Sequence, residues 1–160
     1  MGAIDIREVT PRDWKLWRDL RLRALQEAPG AYGSTYQREL GFVESDWASR
    51  LDGSAGPAVL ALRAGEPVGM GAGFRDRGGW LHVVAMWTDP AHRSTGVGTA
   101  VLDHLVRWAA ARDLRVHLDV AAANPRARTL YERAGFVATG ETRPLRDGSV
   151  KMVERMVLAR

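Results

Sequence analysis

The chain has 160 residues, 46% of them apolar and 26% charged, a balance that fits one compact domain with its own core and excludes a disordered chain. It contains no cysteine, which excludes a disulfide framework and thiolate chemistry. The net charge of +4 rests almost wholly on arginines spread along the chain; this reads as a preference for arginine over lysine, with an anionic partner, nucleic acid or a phosphate-bearing cofactor, as the competing explanation.

The first ten residues alternate polar and apolar side chains, which predicts a strand over 4–9 rather than a signal peptide. Thr10-Pro11 opens a helix, with Thr10 as N-cap and Pro11 at the first helical position. Trp14, Trp17, Leu20 and Leu25 give that helix an apolar side, and Arg12, Arg18, Arg21 and Arg23 a polar one, until Pro29-Gly30 ends it. A shorter helix is expected over 45–51, capped by Ser45 or Glu44. Three strands follow at 58–63, 66–75 and 80–88, joined by turns at Ala64-Gly65-Glu66 and Asp76-Arg77-Gly78-Gly79. After Asp89-Pro90 and a glycine-bearing loop, Val97, Val101, Leu105 and Trp108 recur at helical spacing and predict a helix over 98–111. A strand at 115–120, a helix at 125–134 stopped by Gly135, and strands at 136–142 and 151–158 complete the order. The succession β-α-α-β-β-β-α-β-α-β-β predicts a single domain over 1–160 of mixed α/β type, a sheet with helices on its faces. No stretch is apolar enough to cross a membrane, and a cytoplasmic location is expected.

The strongest local signal is the loop between the fourth strand and the following helix, Arg93-Ser94-Thr95-Gly96-Val97-Gly98. Gly96 and Gly98 remove side chains where the backbone must turn and approach a ligand. The free N–H groups of the first helical turn suit a diphosphate, and Arg93 adds a cation beside it. No Gly-Lys-Ser/Thr follows, which disfavours a nucleoside triphosphate. The plain alternative is a glycine-softened turn before an ordinary helix.

This stretch resembles motif A of the GNAT (GCN5-related) N-acetyltransferase superfamily, Gln/Arg-x-x-Gly-x-Gly/Ala. Downstream, Val120, Asn124, Ala127, Leu130-Tyr131-Glu132 and Gly135-Phe136 resemble that family's second signature. The resemblance extends over most of the chain. It implies a mostly antiparallel sheet of about seven strands, splayed between the fourth and fifth to admit acetyl-CoA and flanked by about four helices. It implies that Met86 and Thr88, with Trp87 between them, present backbone to the pantetheine arm like an added strand, and that a bulge near them aims an N–H at the acetyl carbonyl. The amides from Arg93 through Ser94, Thr95, Gly96, Val97 and Gly98 to Thr99 would hold the diphosphate, and Asn124 the pantetheine side or the loop after it. The family often has glycine or a second cation where this chain has Ser94 and Thr95.

Acetyl transfer to an amine needs a neutral amine, a stabilised oxyanion and a proton for the departing thiolate. The resemblance assigns the proton donor to Tyr131, in Leu130-Tyr131-Glu132-Arg133-Ala134-Gly135-Phe136; a helix tyrosine with a buried ring is the alternative. Asp119 is the expected general base, acting through a water because aspartate is short, against the alternative of a solvated strand carboxylate. Glu27, Glu39 and His82 are weaker candidates, and His82 and His117 read first as packed strand histidines. The four histidines are too scattered for a metal site.

The acceptor wall is expected in the segment 28–39, with Tyr32, Tyr36 and Trp87 as candidate linings for the amine, or as packing between helices and sheet. Trp14, Trp17 and Trp47 read as packing. The leading expectation is acetylation of a primary amine on a small molecule by direct attack in a ternary complex, with a protein N-terminus or lysine as the alternative acceptor. A nucleic-acid-binding module and a non-catalytic acyl-CoA sensor are alternatives of other classes. Neither nucleic acid nor membrane is expected as a partner, and the chain is expected as monomer or homodimer.

Overall fold

The structure, a computed structural model, describes residues 2–160. Seven strands form one sheet: β1 (Asp5–Glu8), β2 (Ala58–Arg63), β3 (Glu66–Arg75), β4 (Trp80–Thr88), β5 (Arg115–Ala121), β6 (Phe136–Pro144) and β7 (Met152–Leu158). Five α-helices cover it: α1 (Trp14–Glu27), α2 (Tyr36–Leu40), α3 (Glu44–Ser49), α4 (Val97–Ala110) and α5 (Pro125–Arg133). The strand order is β1-β2-β3-β4-β5-β7-β6. Neighbours run antiparallel except for β4 and β5, whose connection through α4 makes them parallel.

Alternation along the strands divides the core in two. Val59 and Ala61 of β2 join α4 and α5 through Val97, Val101, Leu105 and Tyr131. Leu60 and Leu62 turn the other way, to Trp17, Leu20 and Leu25 of α1 and Trp47 of α3. β2 is therefore buried on both sides, and each such leucine or valine contributes about 1.5–3 kcal/mol when fully buried. Trp17 and Trp47 pack as the sequence predicts, while Trp14 is only partly buried against the same cluster.

Two local features were not expected from sequence. The five-residue α2 forms because the Thr35 hydroxyl accepts from the Arg38 N–H at 3.2 Å. α3 starts one turn-position early, at Glu44, since the Asp46 carboxylate reaches back to the Val43 N–H at 2.9 Å. Elsewhere the expected bounds shift by a few residues.

The feature that matters for function is where pairing stops. β4 and β5 are in register only from Trp80↔Arg115 to Val83↔Leu118. Beyond that β4 runs on to Thr88 and β5 to Ala121, so the sheet splays open between them. On its other side, β4 carries a bulge: Met70 faces Trp87 and Ala72 faces Val84, leaving Gly71 opposite both Ala85 and Met86. Ala85 takes a left-handed backbone (φ 59) to make it.

Candidate active site

Two cavities meet at the splay. One, about 940 Å³, runs from the 93–99 loop along β4 and α5. The other, about 570 Å³, lies between β4, β5 and the segment after α1. Tyr32, Met86, Asn124 and Tyr131 line both, so the two share a wall at the mouth of the splay.

The loop is built by its backbone. Gly96 caps α4 with φ 95, a left-handed conformation that glycine adopts without penalty. Ser94 also sits in that region, with φ 62, where a glycine would rest with less strain. A Cβ on Gly98 would meet Leu130 at 3.0 Å, so the small residue lets α4 and α5 approach beside the groove. Gly96, Gly98 and Thr99 at the start of α4 line a groove walled by Arg93, Arg126, Arg133 and Lys151 against a single carboxylate, Glu27, and a helix start of this kind favours an anion. That charge balance fits the phosphates of a coenzyme. Arg126, Arg133 and Lys151 were not singled out from sequence; the spacing of Arg126 and Arg133 along one exposed helix face was the available signal.

A buried arginine holds the loop from below. Arg63, at the end of β2, donates to the Thr95 hydroxyl at 2.7 Å and to the Thr95 carbonyl at 3.1 Å, and lies 3.0 Å from Nδ1 of His92. Nothing in the sequence motif points to it. Arg93 donates to the Thr88 carbonyl at 3.1 Å and pairs with Glu27, which also accepts from the Trp87 indole at 3.0 Å. Burial pushes the Glu27 carboxyl up, but the hydrogen bonds from Arg93 and Trp87 outweigh it and hold the group below its ordinary range.

Met86 and Thr88 lie on the open stretch of β4 beside the groove. The Tyr32 hydroxyl donates to the Met86 carbonyl at 2.9 Å, and the Arg21 guanidinium covers the Tyr32 ring. Tyr36 lies on α2, packed against the α1-side core and outside both cavities. Trp87 lines the larger cavity, and Arg23 lies over its ring. Thr95 and Val97 are turned inward, Thr95 to Arg63 and Val97 into the core. Asn124 caps α5, its side-chain Oδ1 accepting from the Ala127 N–H at 3.1 Å.

Tyr131 is 7% exposed, and burial pushes its phenol well above the ordinary range. Asp119 lines the smaller cavity, and its carboxylate is engaged by Arg155 at 3.0 Å and by Arg143. Burial raises its pKa, but the two guanidinium groups outweigh that and hold it below the usual carboxylate value. Glu39, 1% exposed, is held by both nitrogens of an Arg21 fork at 3.1 Å and by Arg50 at 3.4 Å, which ties α2 to α1 and keeps it out of both cavities. Among the described residues no group of three or more His, Asp or Glu is placed to hold a metal ion, and no helix is long and apolar enough to cross a membrane.

Comparison with known proteins bears on the family and the fold. The model of the acetyltransferase (GNAT) family matches residues 14–136. No curated protein matches the chain. Among solved structures, a GNAT-family acetyltransferase from Streptococcus pneumoniae is 19% identical, with 97% of this chain and 98% of that one covered and a TM-score of 0.79. A GCN5-related N-acetyltransferase from Kribbella flavida is 20% identical over 97% and 96%, with a TM-score of 0.75. The ribosomal-protein-S18-alanine N-acetyltransferase of Escherichia coli is 19% identical over 99% and 96%, with a TM-score of 0.70. At these identities the likeness is one of fold.

Proposed function

Because the chain belongs to the acetyltransferase (GNAT) family, we propose that it transfers the acetyl group of acetyl-CoA to a primary amine on a small molecule, by direct attack within a ternary complex. The observation that carries this is the pair of cavities with one shared wall at Tyr32, Met86, Asn124 and Tyr131. A donor in the larger and an acceptor in the smaller would meet there, which converts a bimolecular encounter into an oriented one.

Acetyl-CoA would supply an activated thioester. The chain's own part begins with the amides of residues 93–99 and the cations Arg93, Arg126, Arg133 and Lys151, which would hold its phosphates. The open backbone of Met86 and Thr88 would align the arm, with Tyr32 fixing the Met86 carbonyl. Tyr131, neutral at the shared wall, would give a proton to the departing sulfur. Asp119 already shares its charge with Arg143 and Arg155, which argues against the base role expected from sequence; in this reading it anchors those arginines at the edge of the acceptor cavity. The size of that cavity, within the range of small-molecule sites, favours a compact amine over a protein segment. Arg21, Arg50 and Arg143 on its wall disfavour a polycationic acceptor.

The test is release of free thiol from acetyl-CoA against a panel of small primary amines, with peptides bearing a free N-terminus or lysine run beside it. Release with small amines is expected; release only with peptides would transfer the assignment to the protein-acetylating alternative. In the same assay Tyr131→Phe is expected to lower kcat by about 10²-fold or more, the scale of general acid catalysis, while acetyl-CoA affinity by calorimetry stays unchanged. A parental kcat would remove Tyr131 from the proton step.

A further inference from the structure

One polar cluster is left over by packing and by the roles above. His82 on β4 and His117 on β5 are register partners across the parallel pair. Both are buried, 7% and 6% exposed, and their Nδ1 atoms stand 2.7 Å apart. Two ring nitrogens at that distance share one proton, one ring donating and the other accepting. They stand too close to be two ligands of one metal ion, since nitrogen ligands at 2.0–2.1 Å in a tetrahedral site lie about 3.3 Å apart. The rings of Phe74 and Trp80 flank the pair, with centroids 5.0 Å from His82 and 4.9 Å from His117. Two apolar residues would fill this place without the cost of desolvating four ring nitrogens.

The pair has a carboxylate at each end. His82 lines the acceptor cavity, with its Nε2 3.9 Å from Oδ2 of Asp119. Arg143 of β6 and Arg155 of β7 face it from behind that carboxylate. Nε2 of His117 is 3.4 Å from Oδ2 of Asp76, which lies in the exposed turn between β3 and β4.

The geometry points to a two-histidine relay that carries the proton of the acceptor's ammonium group from the cavity through His82 and His117 to Asp76 and solvent. The inference rests on the amine acetylation proposed above. As the ammonium N–H bond breaks, an Nε2–H bond forms on His82. The Nδ1 proton of His82 passes to Nδ1 of His117, and the Nε2 proton of His117 leaves to Asp76 and water. The acceptor is left as a neutral amine, one proton has reached solvent, and both rings are neutral again in the opposite tautomer. When products leave and water enters the cavity, His82 gives its Nε2 proton to that water, the Nδ1 proton of His117 returns to Nδ1 of His82, and Nε2 of His117 regains a proton from solvent, which restores the start. Burial supports this: it lowers His82 to about 4 against the opposing pull of Asp119, and lowers His117 against that of Asp76. The rings are then uncharged at neutral pH, as a relay requires. In this scheme His82 is catalytic, while His117 and Asp76 act through it as positioning residues.

The test uses the full chain, acetyl-CoA and the fastest amine from the thiol-release panel. His117→Phe keeps a ring in the stack and removes the nitrogens. Asp76→Asn keeps an oxygen for the Gly78 and Trp80 N–H groups, 2.8 and 3.0 Å from Oδ1, and removes the carboxylate. For His117→Phe, kcat is expected to fall about tenfold to hundredfold, within the range of general base catalysis, with KM for acetyl-CoA unchanged. Added imidazole, acting as an external base in the cavity that His82 lines, restores part of the rate, and the acid limb of the rate–pH profile moves to higher pH, because His117 no longer disfavours charge on His82. Asp76→Asn is expected to lose less rate and to be rescued the same way; it decides alone if His117→Phe does not fold. Parental kcat and pH profile in the variants, or a loss that imidazole does not restore and that is equal at every pH, overturns the relay and leaves the acetylation standing. A parent that releases no thiol with any amine overturns both.

Discussion

At the residue scale, the loop proposed to hold the diphosphate depends on a side chain far from it in sequence. Arg63 is 8% exposed, and its guanidinium bonds both the hydroxyl and the carbonyl of Thr95. Those bonds fix the loop one residue before Gly96 turns it into α4. A charge-assisted hydrogen bond contributes about 1.5–3 kcal/mol, and a buried acceptor left unpaired costs a similar amount. Arg63→Met is therefore expected to destabilise the fold by about 2–4 kcal/mol in urea denaturation. It should also weaken acetyl-CoA binding in calorimetry. Binding equal to the parent's would mean the loop keeps its shape without the strut.

At the element scale, the seat of α4 on the sheet decides whether its first turn faces the splay. Gly71 of β3 makes that seat possible: a Cβ there would lie 2.6 Å from Val101, 2.8 Å from the Met86 sulfur and 3.2 Å from Leu105. The same glycine sits opposite the β4 bulge. Gly71→Val would push α4 off β3 and displace Met86 together. Overpacking of this kind costs about 1–3 kcal/mol, read as a lower urea midpoint with an unchanged slope. Because the helix and the bulge move at once, acetyl-CoA affinity is expected to fall as well. A variant with parental stability would show that α4 has room to slide.

At the scale of the whole molecule, stability carries a pH signature. The folded-state pKa of His82 is lowered from 6.5 to about 4, and that of His117 is lowered too, in each case first by burial. Between those values the unfolded chain binds more protons than the folded one. The stability these residues contribute is therefore complete above about 6.5 and is lost as pH falls toward 4. The carboxylates of Glu39 and Asp119 are also held below their ordinary values of 4.5 and 3.8, by arginine partners that outweigh burial. Their contribution is present above those values and is lost at still lower pH. Thermal melts by circular dichroism should thus show a midpoint that begins to fall below about pH 6.5 and falls further through the acid range. A midpoint that holds steady down to pH 4 would count against the buried histidine pair as described.

Much of this protein is local and so was readable in one dimension. Alternation in β1, turn, cap and stop residues elsewhere, and helical spacing in α1 and α4 marked all seven strands and the helices α1, α3, α4 and α5, because each signal lies within a few residues of chain. The loop from Arg93 to Gly98 and the run Leu130 to Phe136 were legible for the same reason, and they carried the family. The five-residue α2 escaped, since a single hydroxyl cap and no apolar period defines it. What only the tertiary structure decided is pairing across distance. Arg63 meets Thr95, Glu39 meets Arg21, Asp119 meets Arg143 and Arg155, and His82 meets His117, because strand register and helix docking bring together residues that are 18 to 36 positions apart. The charge state of a carboxylate or an imidazole depends on those neighbours and on burial, and neither exists until the sheet has formed.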